Sequence, residues 1–215
     1  MIRILVADDH RIVREGLVSL LEKKGRHKVV ASVSNGAHAI EKALSLDLDV
    51  AILDVTMPGL NGIEVAHRLR IEKPKLQIII LSMHAERQYV MEALRAGARG
   101  YVLKDSAFLE LRKAIAMVTR GSIYLSPQVA NLVVDTVARS PAHFETTPYD
   151  ILSMREREVL QMLSEGRKTK EIADDLCVSP KTVETHRKRI MDKLDLHSIA
   201  ELTKYAVRHG ITDIQ

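Results

Sequence analysis

The chain has 215 residues, 46% of them hydrophobic, and a formal net charge of +4, a composition that fits a folded globular protein of one large or two ordinary domains. No apolar run approaches the roughly 18 residues that span a bilayer, and the opening MIRILVADDH is apolar too briefly for a secretory signal. A single cysteine excludes an internal disulfide and points to a reducing, cytoplasmic setting.

Residues 150–215 hold 12 basic and 12 acidic side chains, so the basic excess lies wholly in residues 1–149. Global basicity is therefore no argument for nucleic acid, which must rest on local charge. From the start, the β-branched runs IRILVA, KVVASV, DVAILD, QIIILS and GYVLKD alternate with helix-period segments such as RIVREGLVSLLEKKG and ERQYVMEALRAG. The runs are apolar nearly throughout, as strands covered on both faces must be. Five strands alternating with five helices predict an α/β domain built on a doubly wound, five-stranded parallel sheet. Its last helix, SAFLELRKAIAMVTRG, closes at Gly121.

SPQVANLVVDTVARS then reads as one more helix, and SPAHFETTPYD as a tether with two prolines and no apolar periodicity. Beyond Ser153 there is no strand signal, only SMREREVLQMLSEG, TKEIADDLCV, SPKTVETHRKRIMDKL and SIAELTKYAVRHG, a small all-α domain of four helices. The boundaries drawn are 1–121 for the first domain, 122–149 for linker helix and tether, and 150–215 for the second.

Open α/β sheets bind ligands at the carboxyl ends of their strands. Those ends carry Asp8 and Asp9, Asp54, Ser82 and Lys104. Singly, each has a bland reading: solvated turn acids, a helix cap, a surface lysine. Together they place three carboxylates, a hydroxyl and an ammonium in one crevice. Mutual repulsion of the carboxylates is relieved by protonation, by the lysine or by a divalent cation, and an all-oxygen ligand set suits Mg²⁺. A carboxylate nucleophile at Asp54, with the cation and Lys104 neutralising the equatorial oxygens, suits phosphoryl transfer.

The Asp8-Asp9 pair, the D-x-x-M-P-G-x-N-G run from Asp54, the hydroxyl of Ser82 and Tyr101 three residues before Lys104 together resemble the receiver domain of two-component response regulators, over residues 2 to about 121. The resemblance implies a flavodoxin-like strand order 2-1-3-4-5 and phosphorylation of Asp54 by a histidine kinase. It further implies Mg²⁺ held by Asp9, Asp54 and the backbone carbonyl of Thr56 with Asp8 assisting, and a switch in which Ser82 turns to the phosphoryl group and Tyr101 moves inward. Asp105 stands where most receivers have proline, and GARGYVLKD resembles the NarL/FixJ branch.

In TKEIADDLCVSPKTVETHRKRIMDKL a short helix, a turn and a second helix opened by Ser179-Pro180 give a helix-turn-helix outline. Val183, Ile190 and Leu194 form the second helix's core stripe. Residues 181–193 carry five basic and two acidic side chains within a domain of zero net charge. SMREREVL, EIADDL and SPKTVETHRKRIMDKL resemble the LuxR-type DNA-binding domain, although Lys168-Thr169 stands where that family usually has Ser-Asn. The resemblance directs Glu184, Thr185 and Lys188 to base edges, chemistry that suits cytosine, thymine methyl and guanine respectively. Lys168, Lys170, Lys181, Thr182 and Arg187 complete the DNA-contacting set, the cations on phosphates. His186 is expected to be a packed, hydrogen-bonded residue, Cys177 a small core residue, and Ile199, Leu202 and Ala206 an exposed stripe for pairing.

The combined reading is a cytoplasmic response regulator that controls transcription at promoter DNA, homodimeric when phosphorylated or DNA-bound, with no membrane partner and no enzymatic turnover beyond a slow self-dephosphorylation that is left open. Resemblance to NarL-type regulators implies a resting receiver that covers the recognition helix, with release of that mask and receiver pairing both left as routes to activation. The rival reading is an aspartate-based phosphohydrolase, which needs a second acid two residues after its nucleophile, where this chain has Thr56.

Overall fold

The computed structural model describes residues 1–23, 25–139 and 151–212, with the backbone alone for 136–139. The expected tether, 140–150, lies outside the described residues. Two compact units result, one on each side of it.

The first unit alternates strands β1 (Ile2–Ala7), β2 (His27–Val33), β3 (Val50–Asp54), β4 (Gln77–Ser82) and β5 (Gly100–Leu103) with helices α1 (Arg11–Glu22), α2 (Gly36–Ser45), α3 (Gly62–Glu72), α4 (Arg87–Arg95) and α5 (Ala107–Val118). All strands pair in parallel. The sheet has six strands, in the order β2-β1-β3-β4-β5-β6, where five were expected. The addition is β6 (Tyr124–Leu125), which pairs with β5. Two residues are too few to register a strand period, and only the return of the chain after α5 places them against an open edge. Helix α6 (Pro127–Arg139) follows and packs on α4. Ser126 ties the addition down, its Oγ accepting from Leu103 N at 3.1 Å and donating to Glu110.

The apolar spelling of the strands has its reason in the layers. Every residue of β3 is buried, and one core cluster joins Ile4, Val6, Ile52, Ile79, Leu81 and Val102 to Leu17 and Leu21 of α1 and Leu111, Ile115 and Val118 of α5. Asn61 caps α3, its side chain accepting from Glu64 N at 2.8 Å. Gly62 follows because the helix starts directly on the end of β3. A Cβ there would stand 2.0 Å from the Asp54 carbonyl oxygen.

The second unit comprises α7 (Met154–Ser164), α8 (Thr169–Asp175), α9 (Pro180–Leu194) and α10 (Ile199–Arg208). Ser153 and Glu156 form the capping box that opens α7. Burial opposes the charge on Glu156, but Lys193 at 2.7 Å and the Ser153 donors outweigh it and hold the carboxyl below its ordinary value. Val183 and Ile190 of α9 pack with Val159, Leu160, Ile172, Leu202 and Ala206 in one core, with Leu194 against it.

That packing corrects two expectations. Leu202 and Ala206 are fully buried and Ile199 lies against the same core, so this stripe of α10 is used up inside the domain and is not an exposed pairing face. Cys177 is exposed, at φ 53° in the turn between α8 and α9. The left-handed turn that joins the helices carries its side chain away from the apolar neighbours that suggested a core position. Among the described residues no helix is long and apolar enough to cross a membrane.

Candidate functional site

The carboxyl ends of β1, β3, β4 and β5 bring Asp8, Asp9, Asp54, Ser82 and Lys104 together. Register explains the convergence: Ala7 is level with Leu53, Asp54 with Leu81, and Ser82 with Leu103. Lys104 Nζ lies 2.7 Å from Asp54 Oδ2 and 3.0 Å from Asp8 Oδ2. Asp8 and Asp54 are buried and Asp9 half-buried.

Burial pushes the Asp54 carboxyl up to about 7, with Asp8 and Asp9 adding to the rise and Lys104 opposing it. Burial works against the Lys104 charge, but Asp54 and Asp8 prevail and raise its pKa. The lysine thus offsets only part of the crowded negative charge.

Two residues not singled out from the sequence belong here. His10 Nδ1 lies 2.7 Å from Asp9 Oδ1, its backbone N–H donates to Asp8 Oδ1 at 2.8 Å, and Arg14 donates to the Asp8 carbonyl at 2.6 Å. Their position directly after the Asp pair, at the strand-to-helix turn, was the available signal. Asp8, Asp9, His10 and Asp54 each offer a ligand atom, and these atoms lie within 4.8 Å of one another. Asp8 Oδ2 and Asp9 Oδ1 are buried without a hydrogen-bond partner, although each has a cation or imidazole at ion-pair distance. Such under-satisfied carboxylate oxygens suit a hard divalent cation.

Ser82 is fully buried, and its Oγ accepts from His84 N at 3.0 Å. Tyr101 is fully buried as well, its hydroxyl donating to the His84 carbonyl at 2.7 Å, and burial pushes its pKa up. The tyrosine that was expected to move inward already occupies the interior in this structure. The His84 ring stacks on Tyr89 at 4.2 Å between centroids.

In the second unit, the Ser179 side chain accepts from Thr182 N at 3.1 Å, and Pro180 fills the first position of α9. Lys181, Glu184, Thr185 and Lys188 are exposed on α9, with Thr182 and Arg187 partly so, and Lys168 and Lys170 are exposed near the start of α8. The Lys168-Thr169 departure has a visible consequence. A lysine side chain cannot accept a cap bond, so Glu171 alone reaches back to Lys168 N, at 3.0 Å, while Thr169 Oγ1 donates to Glu184 Oε1 at 2.8 Å. The hydroxyl ties α8 to α9 at Glu184. His186 is half-buried, and its Nδ1 has no hydrogen-bond partner, contrary to the expected bonded histidine.

A doubly wound receiver-like sheet with an acidic crevice, followed by a helix-turn-helix domain, defines the class of a phosphorylation-controlled DNA-binding regulator. Residues 4–116 match the family described as the response regulator receiver domain, and residues 150–206 the bacterial regulatory proteins of the luxR family. The chain is 37% identical over 213 residues to response regulator GacA of Pseudomonas viridiflava, covering 99% of each, and 35% identical over 217 residues to response regulator UvrY of Escherichia coli, covering 100% of this chain and 98% of that one. Among solved structures it is similar to the RcsB response regulator of Salmonella typhimurium (30% identity, TM-score 0.64, 97% and 98% covered) and to an RcsB–DNA complex (30%, 0.59, 95% and 96%). The chain therefore belongs to the response regulators that join a receiver to a LuxR-type DNA-binding domain, and it acts in transcription regulation.

Proposed function

We propose that Asp54 is the phosphoacceptor, charged by a histidine kinase with Mg²⁺ in the crevice, and that the phosphorylated chain binds promoter DNA as a homodimer. The observation that carries this is the buried Asp54 carboxylate held 2.7 Å from Lys104 beside two further aspartates. Asp9, Asp54 and the Thr56 carbonyl would hold the cation, with Asp8 assisting. When bound, the cation supplies charge neutralisation to the equatorial oxygens. Asp54 Oδ1 has one weak donor, Thr56 N at 3.4 Å. That oxygen can attack phosphorus while Lys104 stays on Oδ2 and neutralises the charge that builds up. Ser82 and Tyr101 carry the change onward, Ser82 by exchanging its bond from His84 N for one with the phosphoryl group.

Incubation with acetyl phosphate and Mg²⁺ is expected to add one phosphoryl mass, and Asp54→Asn to abolish it. Labelling that survives that substitution, or an excess of chelator, would refute the assignment. The same assay separates this reading from a phosphohydrolase: Thr56 supplies no general base, so phosphate release should be slow relative to labelling.

On the DNA side, Lys168, Lys170, Lys181 and Arg187 would contact phosphates, with Thr182 near them, and Glu184, Thr185 and Lys188 base edges. Lys188 is exposed and forms no ion pair among the described residues, which supports that role. Lys188→Ala is expected to relax specificity at about one base pair at a loss of roughly 1–3 kcal/mol, and Lys170→Ala to weaken all sequences alike. Equal losses on every sequence for both variants, measured at fixed salt, would show that the reading face lies elsewhere. The tie from Thr169 makes Glu184 a conditional reader, because its Oε1 must share or give up that bond to meet a base.

A further inference from the structure

A cavity of about 750 Å³ opens at the amino-terminal edge of the sheet, the edge opposite the acidic crevice. Ile2 opens β1 there, Arg26 and His27 lead into β2, and Arg112, Ala116 and Arg120 come from α5 and the turn beyond it. Three guanidinium groups thus line one concavity, with no carboxylate among the described residues that line it.

Part of this charge has a structural use. Arg112 donates through Nη2 to the Leu20 carbonyl near the end of α1, where a cation complements the helix dipole. That bond consumes one of its donors, and its Nε is buried with no hydrogen-bond partner. Arg26 and Arg120 are exposed and form no ion pair among the described residues. Burial lowers the His27 pKa, and the neighbouring Arg112 and Arg26 charges lower it further, as a site of positive potential requires.

We propose that this cavity is a second ligand site of the receiver and takes a nucleoside polyphosphate. A planar guanidinium presents donors in a fork that matches phosphate oxygens, and three of them in one wall call for an anion with more than one charge. Ile2 and Ala116 supply an apolar surface that bare phosphate has no use for, but on which a base and ribose can rest. The volume falls in the range of roughly 300–1,000 Å³ typical of small-molecule sites, well above what one inorganic ion fills. The crevice at Asp54 lies across the sheet, so both sites can be filled together.

Isothermal titration of the full-length protein with ATP and with tripolyphosphate, in magnesium-free buffer, tests the assignment. ATP should bind, more tightly than tripolyphosphate, and the Arg26→Ala/Arg120→Ala double variant should bind ATP at least about tenfold more weakly, since each charge-assisted bond to phosphate is worth that order. Both replaced residues are exposed, so the variant should keep the fold, checked by unchanged phosphoryl labelling of Asp54. Lys188→Ala, on the DNA-reading helix, should leave ATP affinity unchanged. Absence of ATP binding would overturn the proposal, as would equal affinity in the double variant or a loss with Lys188→Ala, either of which places the anion on another face. Tripolyphosphate binding as tightly as ATP would overturn the nucleoside part and leave only an anion site.

Discussion

Replacing Asp54 by asparagine is expected to make the protein more stable, by an amount that grows between about pH 4 and about pH 7. The carboxyl has an ordinary pKa of 3.8 and is pushed up to about 7 in the fold, chiefly by burial. The native state therefore keeps a proton that the unfolded chain has already lost. In that window folding takes up a proton, so the stability Asp54 contributes is fully present below its unfolded pKa, falls as pH rises, and is gone above about 7. Each pH unit between the folded and unfolded pKa corresponds to about 1.4 kcal/mol, which puts the full swing at roughly 4–5 kcal/mol. Asparagine keeps the shape without the charge, and Lys104 retains Asp8 at 3.0 Å.

The net gain for Asp54→Asn above neutrality should then be about 1–3 kcal/mol, less than the full swing because Lys104 loses one partner. Urea denaturation of both proteins in chelator across that pH range measures it. The difference curve between the two proteins isolates position 54. Mg²⁺ should shrink the difference by stabilising the ionised wild-type crevice. A difference curve that is flat in pH would show that Asp54 is not destabilised by its surroundings.

Gly62→Ala should be among the most damaging single-methyl additions to the receiver, destabilising it by about 3 kcal/mol. The added Cβ would lie 2.0 Å from the Asp54 carbonyl oxygen and 2.9 Å from its carbon, both backbone atoms that no rotamer change can move aside. Gly62 N also donates to Val55 O at 3.0 Å, which locks the first turn of α3 to the end of β3. Relief of the clash must displace the segment that carries Asp54, so labelling of Asp54 should slow along with the loss of stability. Gly16→Ala is the contrasting case. Its Cβ would meet only the tip of the Phe108 ring, at 3.2 Å, and in mid-helix the change should be neutral or stabilising by up to about 1 kcal/mol. Thermal denaturation of the two variants side by side checks the pair; equal effects would mean that close approach of the backbone is not what position 62 requires.

The acidic crevice was legible in the sequence because parallel strands write it there: the apolar runs of β1, β3, β4 and β5 end on the crevice side chains, and a doubly wound sheet aligns those ends. The same holds for the helix-turn-helix, where Ser179-Pro180 and the stripe of Val183, Ile190 and Leu194 announce the helix start and its inner face. What the tertiary structure decided are contacts between segments distant in sequence, or positions whose backbone overrides their neighbours. The sixth strand exists because the chain returns beside β5, and Tyr101 lies inside because the His84 carbonyl accepts its hydroxyl. Cys177 faces solvent through a left-handed turn that its apolar neighbours did not signal, and Leu202 and Ala206 face inward because α7 covers them. Arg26 is distant in sequence from Arg112 and Arg120, so the three together carry no pattern in one dimension. They become a site only when α5 is laid along the starts of β1 and β2, because charge adds in space and not along the chain.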